Sequence, residues 1–109
     1  MELEYKTDFA ATRERWAAFW RGESPRPLLH AIKPKNGVTP IPKPRPYDCA
    51  FGELDPLIDQ ALGWAATHDF LGDTIPSFMI TFAPDHFAAL LGAEIKRGEG
   101  GSTNWVEPC

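Results

Sequence analysis

The chain has 109 residues, with 15 acidic and 11 basic side chains and a formal net charge of -4 at pH 7. Apolar residues make up 43% and charged residues 24%, a globular composition that excludes a collagen-like or largely disordered chain. The mildly acidic balance argues against a nucleic-acid surface, because such surfaces are usually basic. The apolar runs are far shorter than the roughly 20 residues of a membrane span.

The amino-terminal region and the cysteines bear on the cellular compartment. The first twenty residues carry charges throughout, which is not the pattern of a signal peptide. The two cysteines, Cys49 and Cys109, form neither a disulfide framework nor a CxxC pair. Together these observations predict a cytoplasmic protein, and the length predicts a single domain.

The first half of the chain carries signals for a helix, a strand and a long loop. Residues 8–22 are expected to form a helix, because Thr7 or Asp8 can cap its start and Gly22 stands where a helix ends. The short apolar run at 28–33 lacks strict alternation and is typical of a buried strand in a parallel sheet. Alternating prolines then predict an extended loop over 34–52.

The second half begins with the clearest helix pattern of the chain. It covers residues 55–70, has Asp55 as a suitable N-cap and Pro56 as a suitable first-turn residue, and has apolar residues at helical spacing. A second apolar run predicts a strand at 75–82, followed by a short helix at 84–91. A glycine-rich stretch inside residues 93–107 predicts a hairpin.

The order of these elements predicts the fold class. Strands that alternate with helices are typical of α/β architecture with parallel strands. Two parallel strands leave unpaired edges and uncovered faces, so the pattern predicts the opening of a larger α/β protein. The alternative is a small α+β domain that covers its sheet by self-association.

Four blocks of sequence, in chain order, carry a family pattern. They are 13–23 followed by 26–29, then 70–76, 84–94 and 103–108. In this order they resemble the uroporphyrinogen decarboxylase superfamily, and the first is similar to its opening helix, its "R-G-E" end and its arginine-proline lead into the first strand. The resemblance implies a (β/α)8 TIM-type barrel. This chain would supply only its first βα units, with an N-terminal helix and a C-terminal β-hairpin, because a barrel needs about 250 residues.

The resemblance also implies an activity. The superfamily contains cofactor-free decarboxylases of a tetrapyrrole, and methyltransferases that use zinc to move methyl groups between corrinoid proteins and thiols. The decarboxylase branch has an arginine-rich segment after the first strand and an aspartate near the end of the second. Here the matching segments are 33–37, which is basic without arginine, and 77–82, which has no carboxylate. The methyltransferase-like branch is therefore favoured, with zinc ligands and a corrinoid partner outside this chain.

Within this chain the sequence predicts no catalytic residue and no metal ligand, because Cys49, His68 and His86 lack ligand spacing. Barrel active sites lie at the C-terminal ends of strands, which makes Lys33, Lys35, Asn36, Thr81 and Phe82 candidates for substrate contact. His30 is a sixth candidate, because a side chain inside the first strand can point into the barrel. The expected function is an inactive N-terminal fragment of a methyltransferase or decarboxylase that acts on a small molecule or a corrinoid protein. The alternative is a non-catalytic α+β binding or assembly domain that forms homo-oligomers.

Overall fold

The computed structural model describes residues 2–82, 85–99 and 103–107. The chain divides into unit 1, residues 1–42 and 62–77, and unit 2, residues 43–61 and 78–109. In chain order the described elements are α1 (Phe9–Trp20), β1 (His30–Pro34), a 3-10 turn (Asp48–Ala50), α2 (Leu54–Thr67), β2 (His68–Gly72), α3 (His86–Leu90), β3 (Glu94–Arg97) and β4 (Asn104–Glu107).

Helix α1 ends at a glycine, as its sequence predicts. Gly22 has a φ of +73°, a left-handed conformation that favours glycine, and its amide donates to the carbonyl of Phe19 at 3.0 Å. The amide of Glu23 donates to the carbonyl of Ala18 at 2.9 Å. These bonds satisfy carbonyls that have no partner within the helix.

Helix α2 is closed at its C-terminus by side chains. The Thr67 hydroxyl donates to the carbonyl of Gly63 at 2.8 Å, and Nδ1 of His68 lies 2.8 Å from the carbonyl of Trp64. The ammonium group of Lys35 donates to the carbonyl of Ala66 at 2.7 Å. The last turn of α2 leads directly into β2, so these bonds fix the point at which helix becomes strand.

The strands form two separate antiparallel pairs. In the first pair His30 lies opposite Gly72 and Pro34 lies opposite His68, so β1 and β2 run in opposite directions. In the second pair β3 and β4 are likewise antiparallel, with Glu94 opposite Glu107. The protein is therefore a small α+β fold with three described α-helices and two two-stranded antiparallel sheets.

This topology corrects the α/β prediction, because the described residues contain no parallel βα unit of a (β/α)8 barrel. The expected parallel partner at 75–82 is not a strand, and β2 lies at His68–Gly72, where the end of a helix was predicted. Asp73 and Thr74, directly after β2, bind backbone groups of β1 through their side chains. The chain beyond them leaves the sheet, so the apolar run at 75–82 never pairs with β1.

The other predicted boundaries compare with the structure as follows. The helix expected over 8–22 runs from Phe9 to Trp20, and the helix expected over 55–70 runs from Leu54 to Thr67. The hairpin expected over 93–107 is the β3–β4 pair, but Gly100 to Ser102 of its predicted turn lie outside the described residues. The predicted start of α3 at Pro84 also lies outside them.

The core of unit 1 is small and aromatic. Trp64, Ala65 and Phe70 are buried, and Tyr5 packs against them. The rings of Trp64 and Phe70 meet edge to face, with centroids 5.2 Å apart, a geometry that aromatic pairs prefer. This cluster attaches the N-terminal segment to α2 and β2.

The proline-rich segment lies against α2 within unit 1. The amide of Ile41 donates to the Thr67 hydroxyl at 3.1 Å. A Cβ atom placed on Gly63 would come within 2.7 Å of Cδ1 of Ile41. The helix-interior glycine is thus explained by the close approach of this segment.

Unit 2 buries few apolar side chains. Pro44, Cys49 and Leu57 are buried in its described part, whereas several large apolar side chains are more than half exposed. These are Met79, Phe87, Leu90, Leu91 and Trp105. Among the described residues, no helix combines the length and the apolar character that a bilayer crossing requires.

Candidate functional site

Several polar groups of unit 1 donate hydrogen bonds to one buried carboxylate. The side chain of Asp73 is 1% exposed. Its Oδ2 accepts from Nη1 of Arg26 at 2.7 Å and from the amide of Leu29 at 2.8 Å. Its Oδ1 accepts from Nε of Arg15 and, at 3.2 Å, from Nη2 of Arg26. Both oxygens are therefore occupied by charged or backbone donors.

The backbone of the same residue and its neighbour extend this arrangement. The indole nitrogen of Trp16 donates to the Asp73 carbonyl at 2.7 Å, and the Asp73 amide donates to the carbonyl of Leu29 at 2.7 Å. The Thr74 hydroxyl accepts from the amide of Ala31 at 2.8 Å and donates to its carbonyl at 3.0 Å. We call Arg15, Trp16, Arg26, Asp73 and Thr74 the Asp73 cluster. It joins α1, the segment before β1, β1 itself and the end of β2.

The electrostatics of the cluster suit an anchor rather than a proton-transfer group. The Arg26 guanidinium, the Leu29 amide and the Arg15 guanidinium hold the pKa of the Asp73 carboxyl well below its usual range. In turn Asp73 raises the pKa of Arg26. General acid–base catalysis needs a group that titrates near the working pH, so an Asp73 that is ionised at neutral pH and has both oxygens occupied does not meet that requirement.

Unit 1 also contains an open cavity of about 500 Å³ between the N-terminal segment and β2. Lys6, Lys35 and His68 are among its lining residues. The ammonium group of Lys6 is buried and donates to the carbonyls of Phe70 and Gly72, both at 2.9 Å. As Lys35 and His68 close the end of α2, these cavity residues serve the fold through bonds to backbone carbonyls.

Four predicted site residues lie in or next to β1 of unit 1. His30 and Lys33 are exposed within the strand, and Nζ of Lys33 lies 3.7 Å from Oδ2 of Asp69. Lys35 binds Ala66, as described above, and Asn36 is exposed in the following turn. The structure gives Lys35 a capping role and leaves the other three on the surface.

The other two predicted site residues, Thr81 and Phe82, belong to unit 2. The amide of Thr81 donates to the carbonyl of Pro46 at 3.4 Å, and its own carbonyl accepts from Sγ of Cys49 at 3.3 Å. The ring of Phe82 stacks on His86 with centroids 4.9 Å apart, and its amide donates to Nδ1 of His86. These contacts connect elements of unit 2.

The side chains of Cys49, His68 and His86 all bond within the fold. No group of three His, Cys, Asp or Glu side chains that could hold a metal occurs among residues 2–82, 85–99 and 103–107. Sγ of Cys49 is directed at backbone carbonyls, whereas the rings of His68 and His86 bond to Trp64 and Phe82.

Reasoning from sequence missed the Asp73 cluster, although its members lie within the first two blocks of the family resemblance. Their residue types were a signal, because a guanidinium fork suits a carboxylate. Their separation along the chain, 58 positions between Arg15 and Asp73 and 47 between Arg26 and Asp73, hid the pairing.

Comparison of the chain with protein-family models, with curated proteins and with solved structures finds no match. The candidate site therefore stands on its geometry alone.

Proposed function

We propose that the chain is a non-catalytic structural part of a cytoplasmic enzyme related to the uroporphyrinogen decarboxylase superfamily. The methyltransferase-like branch is favoured over the decarboxylase branch. The substrate of that enzyme would be a small molecule or a corrinoid-bound methyl group. This chain would form a structural α+β part of that enzyme and would contribute no side chain to the reaction.

The Asp73 cluster is the observation that supports this proposal. Arg15, Arg26 and Asp73 come from two separate blocks of the family resemblance, yet they meet at one buried carboxylate. A chance likeness gives no reason for the shared residues to bind one another. The cluster thus supports a common structural role for the two blocks, whereas the chemistry of the enzyme is expected elsewhere.

The branch preference rests on two substitutions in the chain. Segment 33–37, which covers the end of β1 and the turn after it, offers Lys33 and Lys35 instead of arginines, and Lys35 is engaged with Ala66. Residues 77–82 contain no carboxylate that could approach pyrrole nitrogens. Both features count against a tetrapyrrole decarboxylase.

Two measurements test the proposal. The purified chain is assayed for decarboxylation of uroporphyrinogen and for methyl transfer from a methylcorrinoid to a thiol, with a full-length superfamily member as positive control. We expect no turnover, and turnover comparable to that control would refute the non-catalytic role. The coding DNA beyond codon 109 is then determined. An open frame with His and Cys zinc ligands supports the enzyme, whereas an immediate stop codon contradicts it.

A second candidate function is a non-catalytic α+β assembly domain that self-associates. The large apolar side chains that unit 2 leaves more than half exposed favour it, because larger exposed apolar surfaces generally mark interaction sites. The oligomeric state of the purified chain distinguishes it from a monomeric segment. A cooperative, concentration-dependent dimer supports the assembly domain.

A further inference from the structure

Helix α3 is attached to the rest of unit 2 through its first residue, His86. The half-buried ring of His86 stacks on Phe82 with centroids 4.9 Å apart, and the Phe82 amide donates to Nδ1 of His86 at 3.3 Å. None of the five residues of α3 is fully buried. In the described part of the chain, no other side-chain hydrogen bond or ring contact joins α3 to another segment. The attachment of α3 therefore depends on the state of one imidazole.

The donor in this hydrogen bond identifies the protonation state of the His86 ring. A backbone amide can only donate, so Nδ1 must carry a lone pair, and the ring is neutral with its proton on Nε2. A protonated imidazole is a donor at both nitrogens. It offers the Phe82 amide no acceptor, and a ring rotated by half a turn would present a carbon there instead. The face of the Phe82 ring can hold either form, so the amide is the group that distinguishes them.

The other two histidines of the chain do not use Nδ1 in this way. Nδ1 of His68 lies 2.8 Å from the carbonyl oxygen of Trp64, which can only accept, so this nitrogen donates. Protonation of Nε2 leaves that bond intact, and a positive charge is favourable at the C-terminal end of a helix such as α2. His30 is exposed within β1. His86 is thus the histidine whose described hydrogen bond is abolished by protonation.

The charged groups near the His86 ring are few. The segment that it packs against, residues 78–82, contains no charged or titratable side chain. The 3-10 turn that contacts this segment through Cys49 has one carboxylate, Asp48, and two arginines already pair with it. Asp85 precedes His86 in the sequence and is exposed, so water screens its attraction for a charged ring. Within the described ranges no ion pair includes His86, so none offsets the loss of the hydrogen bond.

We propose that His86 is a pH-sensitive latch of α3, whose neutral ring binds the Phe82 amide and whose protonated ring releases it. Histidine is the side chain that ordinarily changes its charge between about pH 5 and pH 8. The folded latch uses the neutral form, so it is closed at the upper end of this range and opens as the pH falls. The proposal depends neither on the family resemblance nor on the oligomeric state.

Two-dimensional NMR of the full chain between about pH 5 and pH 8 tests the proposal. We expect the amide nitrogen shift of Phe82 and the ring signals of His86 to change with one common midpoint. Below it, exchange of the Phe82 amide hydrogen, corrected for its intrinsic pH dependence, should accelerate about 2- to 12-fold, the factor that one ordinary hydrogen bond contributes. His86→Asn offers an amide oxygen in place of Nδ1 and does not titrate, so the Phe82 signal should then be constant. His30→Asn is the matched control and should retain the midpoint.

Each outcome of this titration decides for or against the latch. A Phe82 amide that does not respond while the His86 ring titrates overturns it, as does a response that persists in His86→Asn or disappears in His30→Asn. The nitrogen shifts of the His86 ring give a second test that needs no variant. At about pH 8 they should report the proton on Nε2, and a proton on Nδ1 would overturn the proposal. Circular dichroism of both variants verifies that they are folded.

Discussion

Thr74 offers the sharpest test of how unit 1 is held together. Its side chain is 0% exposed, and its hydroxyl forms two hydrogen bonds to the backbone of Ala31. Thr74→Val keeps the shape and removes both of these bonds to the Ala31 amide and carbonyl. A typical hydrogen bond contributes about 0.5–1.5 kcal/mol, and an unsatisfied buried group costs about 1–3 kcal/mol. Because Ala31 itself is exposed and water can reach it, we expect a loss of about 2–3 kcal/mol.

Thr74→Ser is the matched control, since it keeps the hydroxyl and removes one methyl group. Loss of a buried methyl costs about 1 kcal/mol, so valine should lower the free energy of unfolding by about 1–2 kcal/mol more than serine. Urea denaturation followed by tryptophan fluorescence measures the difference directly. In thermal unfolding the valine variant should melt roughly 10–20 °C below the parent chain. A serine variant as unstable as the valine variant would refute the claim that the hydroxyl fixes β1 to Thr74.

Three further predictions concern the same unit. Gly72→Ala should lower the free energy of unfolding by more than about 2 kcal/mol, because the φ of Gly72 is +60° and a Cβ atom would lie 2.8 Å from the carbonyl oxygen of Leu29. Gly22→Ala places a Cβ atom where no atom lies within 4 Å, so it should lower the free energy of unfolding by only about 1 kcal/mol in the same urea assay. Folding lowers the pKa of Asp73 from an ordinary value of 3.8, so its contribution to stability is complete above that pH and is lost as the pH falls below it. The urea midpoint of the unchanged chain should therefore drop below pH 4. The urea midpoint of Asp73→Asn, which is already lower at pH 7, should drop less. Lys6→Met should lose about 2 kcal/mol in the same urea assay, because two carbonyls lose their buried donor, and an unchanged midpoint would contradict the role assigned to Lys6.

The end of α1 and the start of α2 could be predicted from residues close to each boundary. Gly22 marks the end of α1 because only a local left-handed turn is needed there. The Asp-Pro pair at 55–56 indicates the start of α2 to within a residue or two, although Asp55, predicted as the N-cap, lies inside the first turn because the helix begins at Leu54. In both cases the information lies within a few residues of the boundary.

Strand pairing could not be predicted in the same way. The run at 75–82 is more apolar than His68–Gly72, yet the latter is the strand that pairs with β1. An apolar run indicates burial but carries no direction, so parallel and antiparallel pairing look alike in the sequence. The choice is made by contacts between distant residues, in which Asp73 and Lys6 fix the end of β2.

The candidate site was missed for a related reason. The predicted residues were chosen for positions at strand ends or, for His30, inside a strand of a barrel, and a barrel does not exist in the antiparallel pairs. Arg15 and Arg26 belonged to the first block of the family resemblance, but no partner was predicted for either. Only the fold brings them to a carboxylate that lies 58 and 47 residues further along the chain.

The same separation has a consequence for how the chain folds during synthesis. Arg15 and Arg26 have no Asp73 to bind until the ribosome has added the intervening residues, 58 of them after Arg15. At about 5–20 residues per second, that interval lasts roughly 3–12 s. During this interval the side of α1 that carries Trp16 and the exposed Trp20 is not fixed, because the carbonyl and the carboxylate of Asp73 have not yet been synthesised. Unit 1 can therefore close only after translation has passed Asp73, and a nascent chain stalled before that residue presents its N-terminal helix to chaperones.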